Sequence, residues 1–246
     1  MSFFLEITDI NKQIDERKIL DNFNLNISKA TIHALLGPNG AGKTSLLKII
    51  LGISKPSSGT ITLDGELIQI PYTQNIRRKI GFLPDEPILT NQLTGFENIK
   101  YMNHIYDNPK NDLELKEILE QNGLGDSRNK LVKDYSKGMK QRLSLCITEL
   151  YTPSLLILDE PTIGLDIVGI SNLKNKLKTY RSQGCTILLT THDIHFCQEI
   201  ADDLTLINHG KNIDGGLTSD WLNSYSNIEM AMIDKLKLKE EAHVSV

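Results

Sequence analysis

The segment Gly37-Pro38-Asn39-Gly40-Ala41-Gly42-Lys43-Thr44 limits what this chain can fold into more than any other. It follows the apolar run Ile32-His33-Ala34-Leu35-Leu36, which reads as a strand. It precedes Ser45-Leu46-Leu47-Lys48-Ile49-Ile50-Leu51, which reads as a helix. Glycines at such a junction expose backbone N–H groups, and together with a helix N-terminus these can wrap phosphates. Lys43 offers a point charge to β- and γ-phosphates, and the Thr44 hydroxyl can ligate Mg²⁺. Residues Gly37 through Ser45 are therefore candidates for binding a nucleoside triphosphate. A plain glycine-rich turn has no use for Lys-Thr in its last two positions.

The chain has 246 residues, enough for one large α/β domain or one domain with an inserted lobe. A net charge of −4 gives no basic field for nucleic acid, so no nucleic-acid partner is expected. No run approaches the roughly 18 apolar residues that span a bilayer. The start Met1-Ser2-Phe3-Phe4-Leu5-Glu6 meets an acid too early for a signal peptide. Cys146, Cys185 and Cys197 have no paired spacing and read as small buried side chains.

The first sixty-odd residues are β-rich: Phe3–Ile10, Phe23–Ile27 and the pair flanking Asp64-Gly65, a favoured tight-turn dipeptide. From about Glu86 to Leu150 the pattern is helical, with polar breaks at Asn108-Pro109 and Gly123–Gly125. Leu155-Leu156-Ile157-Leu158 and Thr186-Ile187-Leu188-Leu189-Thr190 are short and continuously apolar, as strands covered on two faces should be. Leu204-Thr205-Leu206-Ile207 leads into a hairpin-like Asn208-His209-Gly210-Lys211. From Asn227 the pattern predicts one short amphipathic helix and a frayed tail. The whole reads as a parallel-sheet nucleotide-binding core interrupted by a helical lobe.

Leu155–Leu158 runs into Asp159-Glu160-Pro161, a hydrophobic strand ending in two carboxylates. Asp159 at the strand tip is placed to hold Mg²⁺, and Glu160 beside it to polarise an attacking water. Tyr135-Ser136-Lys137-Gly138-Met139-Lys140-Gln141-Arg142-Leu143 reads locally as a Ser-capped helix start. It also resembles the signature segment of ATP-binding cassette (ABC) proteins, with Ser136 and Gly138 at its core positions. Pro161-Thr162-Ile163-Gly164-Leu165-Asp166 resembles that family's D-loop, and Thr190-Thr191-His192-Asp193 its switch-histidine segment. Ser136, Asp159 and His192 follow Lys43 by 93, 116 and 149 residues, in the family's order and spacing.

The resemblance covers about residues 3–215. It implies an α/β fold: a P-loop NTPase core of ABC type with an N-terminal antiparallel β subdomain and an inserted helical lobe. Residues 1–246 would form one nucleotide-binding domain, with the lobe at about 86–150 and a short C-terminal helix and tail at about 217–246. It implies ATP hydrolysis with Glu160, His192 and Lys43 as catalytic residues and Mg²⁺ on Thr44 and Asp159. Ser136 and Gly138 would face the nucleotide of a second subunit, in a homodimer or with a paired ABC subunit.

Two places depart from the family pattern. After Ile80-Gly81-Phe82-Leu83-Pro84 the family carries a glutamine, where this chain has Asp85 and then Glu86. An ionised carboxylate accepts hydrogen bonds but does not donate them, and it can ligate the metal. Acidic residues here resemble the so-called E-loop of bacterial exporters of lantibiotic peptides. Where the family places a base-stacking aromatic, the stretch Lys12-Gln13-Ile14-Asp15 offers Ile14. Base selectivity is then expected to be loose, with GTP serving nearly as well as ATP. The resemblance implies the ATPase subunit of an exporter, peripheral on the cytoplasmic face of the cell membrane and working with a transmembrane permease in a separate chain. The alternative within the same fold is a soluble ABC ATPase of iron–sulfur assembly or cell division.

Overall fold

The computed structural model describes residues 3–105, 109–150 and 153–244, with side chains through residue 237. β1 (Leu5–Ile14) and β2 (Arg17–Ile27) form a hairpin, and β3 (Ile32–Leu36) leads into α1 (Lys43–Ile50). β4 (Ser58–Leu63) and β5 (Glu66–Ile68) form a second hairpin. After α2 (Gln74–Lys79) and β6 (Ile80–Leu83) come α3 (Gly95–Asn103), α4 (Asp112–Gln121) and α5 (Lys137–Thr148). Then follow β7 (Leu155–Asp159), α6 (Ile167–Ser182), β8 (Thr186–Thr190), α7 (Ile194–Ile200), β9 (Asp203–Asn208) and β10 (Lys211–Leu217). The last helices are α8 (Thr218–Ser224) and α9 (Ile228–Val244).

Two sheets result. An antiparallel one has the order β2-β1-β4-β5, and its Asp64-Gly65 turn has both residues at positive φ (51° and 78°), as a tight hairpin requires. The other has the order β10-β9-β3-β8-β7-β6 and is parallel except for β10. β3, β7 and β8 are buried along their whole length, which explains their unbroken apolar sequence. On one face Leu35, Ile157 and Leu188 pack against Ile7, Phe23 and Leu25 of the antiparallel sheet. On the other, Leu36, Leu158 and Leu189 pack against Leu173, Leu177, Phe196 and Ile228. Each fully buried side chain of this size contributes roughly 1.5–3 kcal/mol.

The helical lobe has its own core of Ile99, Leu115, Leu119, Val132, Leu143 and Cys146. Thr94 with Glu97, and Asn111 with Glu114, make reciprocal capping boxes that start α3 and α4. Of the expected breaks, Gly123 follows α4 at φ 66°, while Asn108 lies outside the described residues. Ser136 caps α5 by accepting from the Met139 N–H at 3.2 Å. The three thiols are free and buried, and burial pushes Cys185 up to about 11 and Cys197 up to about 12.

The structure differs from the sequence expectation in two stretches. Residues 74–83 form α2 and β6, elements of six and four residues whose short mixed pattern carries little periodic signal. The C-terminal part holds two helices, and α9 runs for 17 residues where a short helix and tail were expected. The seven-residue α8 is anchored by the buried Trp221, over which the Lys235 ammonium stands 4.9 Å from the ring centre.

One buried group makes stability depend on pH. His33 shares a face of β3 with Leu35, and its Nε2 lies 2.9 Å from Thr205 Oγ1 while Nδ1 has no partner among the described residues. Burial lowers the imidazole from 6.5 to about 4. Between those values the unfolded chain holds a proton that the folded chain does not, so stability falls as pH drops through this window. The full loss is on the order of 3 kcal/mol. Urea midpoints measured at pH 7.5 and pH 5 should fall further for the native chain than for His33→Phe. Equal falls would remove His33 as the source.

Candidate functional site

The strands of the core sheet set the site. β3, β6, β7, β8 and β9 run in one direction, so their C-terminal ends lie along one edge. That edge delivers the glycine loop after β3, Asp85 after β6, Asp159 and Glu160 at the end of β7, and His192 after β8. Ligand sites of parallel sheets form at such edges because connecting loops are free to carry function there. These groups line an open cleft of about 650 Å³. Its walls include Asn39, Gly40, Ala41, Gly42, Lys43, Thr44, Ser45, Asp85, Asp159, Glu160 and His192.

Gly37 and Pro38 do not line the cleft, but their carbonyls accept from Lys43 Nζ at 2.6 and 3.1 Å, which fixes the ammonium within the loop. A Cβ on Gly37 would stand 2.2 Å from the Ile207 carbonyl oxygen, so only glycine lets β9 press against the loop. The Gly210 N–H donates to the Ala41 carbonyl at 2.8 Å, adding a second brace from the β9–β10 hairpin. Burial lowers the Lys43 pKa, and Glu160 and Asp159 oppose that shift. α1 begins at Lys43, so its N-terminal dipole end faces the cleft along with the ammonium.

Asp159 is buried, which raises its pKa. A hydrogen bond from Thr190 Oγ1 counters this, and the nearby Asp85 raises it further. A buried carboxylate with a second carboxylate nearby suits a divalent cation. Among the described residues no three His, Cys, Asp or Glu side chains form a metal cluster. Mg²⁺ takes one or two protein ligands, with the rest from phosphate and water. Thr44, Asp159 and Asp85 thus present a fitting donor set for Mg²⁺.

Glu160 sits at φ 49°, uncommon for this residue. Its N–H donates to the Thr190 carbonyl at 3.1 Å, and its carbonyl accepts from Ile163 N at 3.2 Å. The bend turns the carboxylate toward β8, where Oε2 accepts from the His192 N–H at 3.0 Å. His192 Nε2 stands 3.2 Å from Oε1 without hydrogen-bond alignment, so Oε1 is buried with no hydrogen-bond partner among the described residues. An unsatisfied carboxylate oxygen beside an exposed imidazole can accept a proton from water.

Ser136 and Gly138 are not in the cleft. They lie at the start of α5, where Ser136 is exposed and Gly138 packs against the loop before α6. A Cβ on Gly138 would stand 2.5 Å from the Gly164 carbonyl oxygen. Sequence reasoning also missed Arg17, Lys18, Ile19, Ile163 and His209, all of which line the cleft. Arg17 had a signal: it is two residues beyond Asp15, across a tight turn from Ile14.

Comparison with known proteins agrees with this geometry. Residues 20–163 match the family model described as ABC transporter. The chain is 37% identical over 209 residues to the lantibiotic transport ATP-binding protein SrtF of Streptococcus pyogenes, covering 85% of this chain and 89% of that one. It is 35% identical over 215 residues to the bacitracin transport ATP-binding protein BcrA of Bacillus licheniformis, covering 87% and 70%. A solved ATP-binding subunit of an ABC transporter superposes with a TM-score of 0.84 at 25% identity, covering 95% of this chain and 99% of that one. With its phosphate loop, paired carboxylates and histidine at one sheet edge, this chain belongs to the ABC transporter family as an ATP-binding, ATP-hydrolysing cassette.

Proposed function

We propose that this chain is the ATPase subunit of an exporter of a peptide, drug or similar substrate. A separate transmembrane permease would carry the substrate, with the cassette held on the cytoplasmic face of the membrane. The observation that supports this reading most is the similarity along 89% of a lantibiotic transport ATP-binding protein, joined to an acidic residue, Asp85, in the cleft. Among the described residues no helix is long and apolar enough to cross a membrane. Residues 1–246 are taken as one nucleotide-binding domain, with its lobe at about 86–150 and a C-terminal element at about 217–246.

In this reading Asn39–Ser45 cradle the triphosphate through backbone N–H groups, and Lys43 neutralises charge on its terminal phosphates. Thr44 and Asp159, with Asp85 beside them, would hold Mg²⁺, which would further neutralise the phosphate oxygens. Glu160 takes a proton from the attacking water, and His192 hydrogen-bonds the γ-phosphate. Ser136 and Gly138 complete the site of a second cassette, so two copies or two paired cassettes share two sites. Asp85 couples the metal end of the cleft to the lobe, because it sits at their junction after β6.

Inside-out vesicles holding the cassette and its membrane partner test the assignment. ATP should drive substrate uptake. Asp85→Ala should depress partner-stimulated ATPase several-fold more than the basal rate of the isolated chain, and Asp85→Gln should recover part of it. Absence of any membrane partner that stimulates hydrolysis would overturn the exporter reading in favour of a soluble role.

A further inference from the structure

Ile14, where the resembled family carries a base-stacking aromatic, is 51% exposed and does not line the cleft. Arg17, its direct cross-strand partner in the β1–β2 hairpin, does line it. Directly opposed residues send their side chains from the same face of a hairpin, so the longer side chain reaches where the shorter does not. The Arg17 side chain has no ion pair or hydrogen bond among the described residues. Its neighbour Lys18 is committed to Asp21, which also holds Lys211 at 3.2 Å. In the proposed reading the other polar lining groups are engaged: the glycine loop and His192 serve the phosphates, and Asp85, Asp159 and Glu160 serve the metal and the attacking water, while Ile19 and Ile163 offer only apolar contact. His209 precedes Gly210, whose N–H is bonded to Ala41, and so stands beside the phosphate loop itself.

We propose that the Arg17 guanidinium is the base-recognising group of this cleft, taking the place of an aromatic platform at position 14. The proposal rests on the reading of the cleft as a nucleoside triphosphate site. A guanidinium is flat, delocalised and weakly hydrated, so it stacks on a purine face. At a base edge it only donates. Guanine offers O6 and N7 as two acceptors, whereas adenine offers N7 beside an amino group that is itself a donor. Arg17 therefore admits both purines and holds guanine at least as well as adenine.

Equilibrium titration of the full chain with ATP, GTP and inorganic tripolyphosphate tests this. Native protein should bind GTP at least as tightly as ATP. Arg17→Ala should weaken both nucleotides by about 5-fold and leave tripolyphosphate unchanged. Arg17→Lys should not restore them, since an ammonium has no plane. Adding Ile14→Tyr to Arg17→Ala should recover nucleotide binding. Unaltered tripolyphosphate affinity also reports that each variant is folded. The proposal is overturned if tripolyphosphate weakens as much as ATP, which would make Arg17 a phosphate counter-charge. It is overturned equally if the base-dependent loss follows His209→Ala rather than Arg17→Ala. If native protein binds neither tripolyphosphate nor nucleotide, the triphosphate reading itself falls.

Discussion

Glu160→Gln should lower steady-state phosphate release by roughly 100-fold or more while leaving ATP binding intact. The amide keeps an oxygen that can accept from the His192 N–H, as Glu160 Oε2 does at 3.0 Å, so the loop after β8 stays in place. What is lost is the capacity to take a proton from water at the oxygen that has no hydrogen-bond partner among the described residues. Binding should survive because Lys43, the glycine loop and Asp159 are untouched. The variant should accumulate as an ATP-bound dimer, seen as an earlier elution in ATP than in ADP. Turnover near the native rate would remove Glu160 from the base role and shift attention to His192.

Most of the site was legible in the sequence because its parts sit at strand ends, where a break in an apolar run is easy to see. The glycine loop interrupts an apolar stretch after Leu36, Asp159-Glu160 after Leu158, and His192 comes two residues after Thr190. The parallel strands were legible for the same reason, since burial on both faces writes an unbroken apolar run. What was not legible depends on contacts between distant segments. β6 has only four residues and is defined by pairing with β7. α8 has seven residues and is anchored on the core by the buried Trp221 and the packed Leu222. Arg17 and His209 belong to no local pattern, and only the closure of the β1–β2 and β9–β10 hairpins around the phosphate loop brings them to the cleft. The strained φ of Glu160 is likewise invisible in sequence, although the following Pro161 already disfavours a right-handed helical conformation there.

Mixing two inactive variants should restore ATPase activity. Lys43→Ala removes the ammonium that the Gly37 and Pro38 carbonyls hold within the glycine loop. Ser136→Arg replaces the exposed cap of α5 with a bulky cation. Within one chain Ser136 and Gly138 are excluded from the cleft that holds Lys43. The start of α5 is instead held against the loop that leads into α6 by Gly138, which approaches the Gly164 carbonyl too closely for any side chain. A signature held there by backbone contact cannot swing into its own cleft without breaking that packing, which is why the proposed role of Ser136 is at the cleft of another copy. Each homodimer of either variant carries the same lesion in both sites. A mixed dimer puts both lesions into one site and leaves the other with a native lysine and a native serine. Equal mixing yields mixed dimers as about half of the population, and each has one intact site. Activity should then rise to roughly a quarter of the native rate if sites turn over independently, and stay lower if both must act together. The measurement is phosphate release from the mixture beside each variant alone, with size-exclusion chromatography showing that both variants still associate. No recovery despite association would mean that the serine acts within its own chain, and the shared-site arrangement would have to be abandoned.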